Sequence, residues 1–299
     1  MSFVPAHIPG PDIVRPRDCA LSVAHSQASD RSEARNRALR PGNYSGRVDT
    51  TATRGRGAVR RRRSRGWVPN QHGAWAMLAA PLLTGALASG VRPLHAVLAV
   101  FWFTGYFAFF ATGLWLKSRR RPINRAPAMA YSAAATVLAV LLVLLAPGLL
   151  RWVPLFVIPL GVGLWASATR HERGLLSGLS TTIGSSLMTV VAYDLGPGTD
   201  WPRAWFLAAV MAVYFAGTVL YVKTVIRQRG NQRYWWLSVG WHGLAAVALS
   251  PVNPPLAVVF AALTARAAVV PRYRFSPKQI GIGEIVATVV VTIVALLTT

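Results

Sequence analysis

Trp67-Val-Pro-Asn-Gln-His-Gly-Ala-Trp75 is the stretch where an arginine-rich tail stops and apolar sequence begins. It carries Asn70, Gln71 and His72 into the mouth of the first apolar run. Amide and ionisable groups are costly at the edge of hydrocarbon unless they find partners or water. The stretch therefore marks both the border of a membrane segment and a candidate site.

On the C-terminal side the composition is that of a polytopic membrane protein. Of 299 residues, 53% are hydrophobic and only 14% charged, a balance outside the range of ordinary soluble domains. The net charge of +23 resembles a nucleic-acid signal until it is mapped. Residues 1–66 hold 14 of the 32 Lys and Arg, and most others cluster in short loops between apolar runs, the pattern of a membrane protein. No specific nucleic-acid partner is expected; membrane lipids are. The single cysteine, Cys19, lies in the tail, which excludes a disulfide framework and a cysteine metal site.

On the N-terminal side, residues 1–66 are rich in Pro, Gly, Ser and Arg, with the run Arg60-Arg61-Arg62-Arg63. Such a segment buries too little apolar area to offset its ordering entropy and is expected to be disordered, a charge cluster that sets topology. The nine-helix domain is then 67–299.

Nine apolar runs follow, approximately 73–90, 94–116, 129–147, 151–168, 176–194, 203–222, 235–250, 254–270 and 280–298. Each is near the roughly 20 residues a helix needs to cross a bilayer. The expected fold class is an all-α bundle of about nine transmembrane helices. The seventh run is the weakest, because Trp235, Trp236 and Trp241 suit an interface and His242 interrupts it.

Charge asymmetry sets the orientation. Fifteen Lys and Arg are assigned to the loops after the second, fourth, sixth and eighth runs, against Arg92, Arg151 and Arg203 opposite. The basic loops and the N-terminus are expected in the bacterial cytoplasm and the C-terminus outside. Asp194 and Asp200, on the outer side, are expected to be solvated, and Glu172 to form a loop ion pair.

An internal echo appears at an offset of 106 residues: Phe109-Phe-Ala-Thr-Gly-Leu-Trp-Leu-Lys117 lies over Phe215-Ala-Gly-Thr-Val-Leu-Tyr-Val-Lys223, and Arg121 over Arg227. Two related halves are the implied architecture, with a ligand site expected where they meet. Lys117 with Arg121, and Lys223 with Arg227, are four apart and would share a helix face if the helices continue past the membrane surface. Two such faces would clamp one anion through charge-assisted hydrogen bonds. Asn70 is a candidate N-cap, and the N–H groups of that first turn, with Gln71, His72 and the adjoining Trp75, would add an anion cradle. Glu284 is the one carboxylate within a span away from the outer side, and needs a partner among His72, Arg266 and Lys278. The fifth run carries Ser177, Ser180, Thr181, Thr182, Ser185, Ser186 and Thr189, read as close helix packing, with a hydrophilic cavity wall as the alternative.

Asn70-Gln-His-Gly-Ala-Trp-Ala-Met-Leu-Ala-Ala-Pro81-Leu-Leu-Thr-Gly85, with Tyr221-Val-Lys-Thr-Val-Ile-Arg-Gln-Arg-Gly-Asn231 downstream, resembles the YwiC-like family of bacterial membrane proteins, of uncharacterised function. A more distant resemblance, carried by Pro81-x-x-x-Gly85 and Arg121-Pro122, is to the UbiA superfamily of intramembrane prenyltransferases. It implies nine helices in two related halves around a cytoplasmic-facing site. Those enzymes hold Mg²⁺ on aspartate-rich motifs, whereas the matching loops here carry Lys117-Ser-Arg-Arg-Arg121 and Lys223-Thr-Val-Ile-Arg227. Mg²⁺ takes oxygen ligands, so neither a metal nor a cofactor is expected and metal-dependent prenyl transfer is not. The ligand expected is an amphiphilic anion such as an isoprenoid or lipid phosphate, held directly by cations. The alternatives are a small-solute or ion transporter using Glu284, and a structural membrane subunit.

Overall fold

The computed structural model of the protein describes residues 66–69, 73–171 and 174–299. The tail residues 1–65, the Asn70-Gln71-His72 cradle and the Glu172–Arg173 pair lie outside the described residues. Among those described, all regular structure is helical. The α-helices are α1 (Ala74–Ser89), α2 (Pro93–Lys117), α3 (Arg125–Leu145), α4 (Val153–Ala168), α5 (Leu175–Leu195), α6 (Trp201–Val222), α7 (Gln232–Leu249), α8 (Pro254–Val269) and α9 (Pro277–Thr298). Each falls on one of the predicted runs. Seven helical segments have the length and apolarity to cross a bilayer. The 16-residue α1 is shorter, and α7, which carries the tryptophans and His242, is not among the seven.

The helix starts follow from local chemistry. Asp200, Asn253 and Ser276 each accept a first-turn N–H on a side-chain oxygen, at 3.0 Å from Arg203, 3.1 Å from Leu256 and 3.3 Å from Gln279. Proline follows within two residues in all three, where its missing N–H removes no helical bond.

The bundle is organised about α1 and α5, which pack against each other and each contact both α2 and α6. Gly85 makes that crossing close: a Cβ there would stand 2.0 Å from the Thr189 carbonyl oxygen. Three α5 hydroxyls bond within their own helix, Thr181 to Ser177 O at 2.8 Å, Thr182 to Gly178 O at 2.9 Å and Ser185 to Thr182 O at 3.1 Å. Ser180 reaches Pro159 O of α4 at 3.4 Å, and Ser186 Oγ and Thr189 Oγ1 are buried without a partner among the described residues. On one side of this pair, α2, α3 and α4 share a core through Leu82, Leu98, Leu142 and Met188. On the other, α6, α8 and α9 share a second core around Tyr214, Phe215, Phe260 and Val291.

The connections gather at two ends. At the Asp194 end, Gly90 lies against Pro197, Gly196 against Ser89, and Asn253 Nδ2 donates to Thr298 Oγ1 at 2.8 Å. Asp194, expected to be solvated, is instead engaged by the Arg151 guanidinium and by the Trp152 indole at 2.8 Å, in a belt of Trp152, Trp201 and Trp205 rings. Indole rings favour the membrane–water boundary, and they exclude water from a carboxylate that hydropathy alone leaves in a loop. Asp200 is exposed as expected.

Candidate functional site

The Lys223 end does not assemble as the spacing suggests. α2 stops at Lys117, and Arg119 and Arg120 take left-handed φ of 57° and 60°. Lys117 and Arg121 therefore do not share a helical face; Arg121 is exposed at the start of the short Pro122–Asn124 turn. α6 does continue, as a π-helical turn over Lys223–Arg227 closed by Gln228 N–H to Lys223 O at 2.7 Å. Such turns recur at functional positions. Because α1 and α5 stand between α2 and α6, the two basic pairs are not neighbours across one helix contact.

Trp75 opens α1 and stacks on Phe103 with centroids 6.0 Å apart, with Tyr106 and Phe107 edge-on. Phe107, Tyr131 and Trp67 extend the chain of rings. This quoted motif residue thus ties the first helix to α2 and α3 through aromatic contacts.

A cavity of about 270 Å³ opens beside the π turn, lined by Thr224, Gly230, Asn231, Gln232, Trp235, Pro271 and Arg272. None of its lining among the described residues is acidic. A second, of about 380 Å³, lies at the opposite end, where Asp200 and Arg203 share the wall and balance its charge.

Deeper in the α6–α9 half is a buried ionic cluster. Glu284 on α9 accepts from Arg266 Nη1 at 2.7 Å and from the Thr218 hydroxyl at 3.0 Å. The guanidinium lies over the Tyr221 ring, 4.2 Å from its centroid, a geometry in which the ring's quadrupole favours the cation. Tyr214 donates to the Glu284 carbonyl at 3.2 Å, and Thr288 to the same oxygen at 2.7 Å. Glu284 therefore takes Arg266 of the three partners considered. Arg266, counted among the loop cations, is a residue of α8, so one of the fifteen charges is spent inside the bundle.

Fully buried His242 completes the cluster from α7. Its Nδ1 sits 2.7 Å from the Ser238 carbonyl, which can only accept, so the proton is on Nδ1 and Nε2 keeps its lone pair. Gly217 on α6 admits the ring, since a Cβ there would lie 2.7 Å from Nε2. Sequence reasoning placed His242 in a span without a role, and missed Tyr214 and Thr218. The signal available was the echo, which matches Thr112 with Thr218 and Trp115 with Tyr221.

The model of the YwiC-like protein family matches residues 68–193. A Bacillus subtilis protein, named as the uncharacterized protein YwiC, is 31% identical over 177 residues, covering 58% of this chain and 73% of the relative. The chain belongs to the YwiC-like family. A further relative, an uncharacterized protein of Haemophilus influenzae, is 28% identical over 240 residues, 78% of this chain and 98% of its own. No solved structure matches, so the resemblance to prenyltransferases gains no support from a known fold. The residues matched by the YwiC-like model end within α5; the cavity and the Arg266–Glu284 cluster lie beyond them. This YwiC-like chain is a multi-pass bacterial membrane protein, and its bundle contacts membrane lipids.

Proposed function

We propose that the protein recognises the anionic headgroup of a membrane amphiphile, an isoprenoid or lipid phosphate, at the Lys223 end of the bundle, and that this end faces the cytoplasm. The observation that carries the reading is the cavity beside the π turn, walled by Arg272, Asn231 and Gln232 with no acidic side chain among the described residues. Lys223 and Arg227 stand on that turn and Arg229 reaches across to Tyr273 O at 3.0 Å, so the cavity lies in a field of positive potential. Phosphate suits such a site because charge-assisted hydrogen bonds strengthen where water is partly excluded. Trp235, whose indole donates to Ala268 O at 3.1 Å, offers an apolar wall for the first carbons of a tail. On the α2 side, Lys117, Arg121 and the Asn70-Gln71-His72 segment would present further cations and donors to the same leaflet.

Native mass spectrometry of the full chain in nanodiscs tests the reading. A polyisoprenyl phosphate and phosphatidylglycerol should be retained in preference to phosphatidylethanolamine, and Arg272→Gln combined with Lys223→Gln should remove most of that preference. Equal retention of the zwitterionic lipid would sink the proposal.

A further inference from the structure

The Arg266 guanidinium is only half used. Nη1 holds Glu284, whereas Nε and Nη2 are buried and have no hydrogen-bond partner among the described residues. These two N–H groups form the side-on edge of the guanidinium, a planar fork matched to two oxygens of one carboxylate or phosphate. Charged donors buried without acceptors are among the costlier arrangements a protein holds, so an empty fork calls for an acceptor.

A second unmet demand lies beside it. Trp235 of α7 bonds the Ala268 carbonyl of α8, and a Cβ at Gly243 would lie 3.6 Å from the Thr264 methyl. That antiparallel register sets Arg266 level with Ser238 and His242. His242 Nε2 and Ser238 Oγ are likewise buried and unpartnered among the described residues, and Arg266 acts electrostatically on the His242 ring. Both side chains meet the same turn of α6, His242 at Gly217 and Arg266 at Tyr221. The ionisable group acting on His242 is Arg266 on α8, and Arg266 in turn stands among Tyr214 and Tyr221 on α6 and Glu284 on α9.

We infer that this cluster is a second ligand site, which takes an oxyanion, a carboxylate or phosphate monoester, together with one proton: the anion on the Arg266 fork and the proton on His242 Nε2. Charge decides the pairing. Glu284 already neutralises Arg266, so an anion alone would leave a net negative charge in a low-dielectric interior. Adding one proton to Nε2 gives two positive and two negative groups. One N–H bond forms, its proton drawn from water, and no bond of the ligand breaks. The fork atoms and His242 Nε2 are themselves buried, so a ligand enters by displacing side chains beside the 19% of Arg266 and 12% of Glu284 that remain exposed. The site stands on other residues than the cavity at the bundle end and does not depend on it.

Isothermal titration of the full chain in nanodiscs, with octanoate, octyl phosphate and inorganic phosphate as probes, in buffers of different ionisation enthalpy, tests this. Octanoate binding should consume one proton, and its affinity should fall about tenfold per pH unit above neutrality. Arg266→Lys keeps an ion pair with Glu284 but lacks the fork, and should weaken binding at least about tenfold. His242→Gln should abolish proton uptake while some binding survives. Binding of both amphiphiles but not inorganic phosphate would assign the anion to a lipid, and equal binding of all three to a free solute; either supports the site. No binding of any probe, binding without proton uptake, or uptake that survives His242→Gln and disappears in Glu284→Gln would overturn it. Arg272→Gln should leave octanoate binding unchanged, so failure of the end-cavity reading is read separately.

Discussion

Among the described residues are two arginine–carboxylate pairs, one at the Asp194 end and one inside the α6–α9 half, and they differ on their arginine side. Arg151 and Asp194 meet where the side chains are 53% and 13% exposed, with indoles around them. Arg266 and Glu284 meet where the side chains are 19% and 12% exposed, fixed by Thr218 and a tyrosine face. The first resembles an interfacial tether, in which water and headgroups screen the guanidinium while the indoles shelter the carboxylate. The second sits where each ion has lost most of its solvation, and the Coulombic gain offsets that loss only if the remaining groups are also satisfied. On Glu284 they are; on Arg266 they are not. A pair that is complete on its acid side and open on its base side is built differently from one that only ties helices together.

The sharpest way to break this comparison is to remove one arginine from each pair. Arg266→Gln strands Glu284 and should cost about 3–5 kcal/mol, read as a large drop in the melting temperature of the protein in detergent. An effect no greater than that of Arg151→Gln would remove the distinction. Next in size is Gly217→Ala, whose Cβ would meet the His242 ring at 2.7 Å and Trp241 at 3.1 Å; overpacking of this kind costs roughly 1–3 kcal/mol. Release of α7 should then appear as faster hydrogen exchange in Gln232–Leu249. Thr218→Val deletes one hydrogen bond to a charged carboxylate, about 1.5–3 kcal/mol at most, and the same melting assay should rank it below Arg266→Gln. Smallest is Arg151→Gln, about 1 kcal/mol or less because more than half of the Arg151 side chain is exposed. That contribution should shrink as salt rises from low to molar concentration, while the Arg266 contribution stays constant.

Much of the bundle was legible because hydrophobic length and charge are properties of contiguous sequence. The nine apolar runs correspond to the nine helices among the described residues, and α7 is marked in both by Trp235, Trp236 and His242. Glu284 stood out for the same reason, as a carboxylate with no local cation to neutralise it. Its partner was reachable only as one of three, because the choice depends on how α8 and α9 are rotated against each other. The basic pairs failed as shared faces for a local reason: the helix they assumed ends at Lys117, where Arg119 and Arg120 turn left-handed. Asp194 failed for a non-local one, since its partners Arg151 and Trp152 come from the Pro147–Trp152 turn that leads into α4.

What the sequence by itself determined is the class of the protein, its helix boundaries and the need of one buried acid for a cation. These follow from free energies of transfer, which sum along the chain and need no knowledge of neighbours. Only the tertiary structure decided that Arg266 is that cation, that Thr218 and Tyr221 of α6 hold the two ions, and that a guanidinium edge and an imidazole lone pair lie unmet beside them. Those are matters of direction, set by helix rotation and by the missing Cβ of Gly217, and hydrogen bonds form only where direction is right.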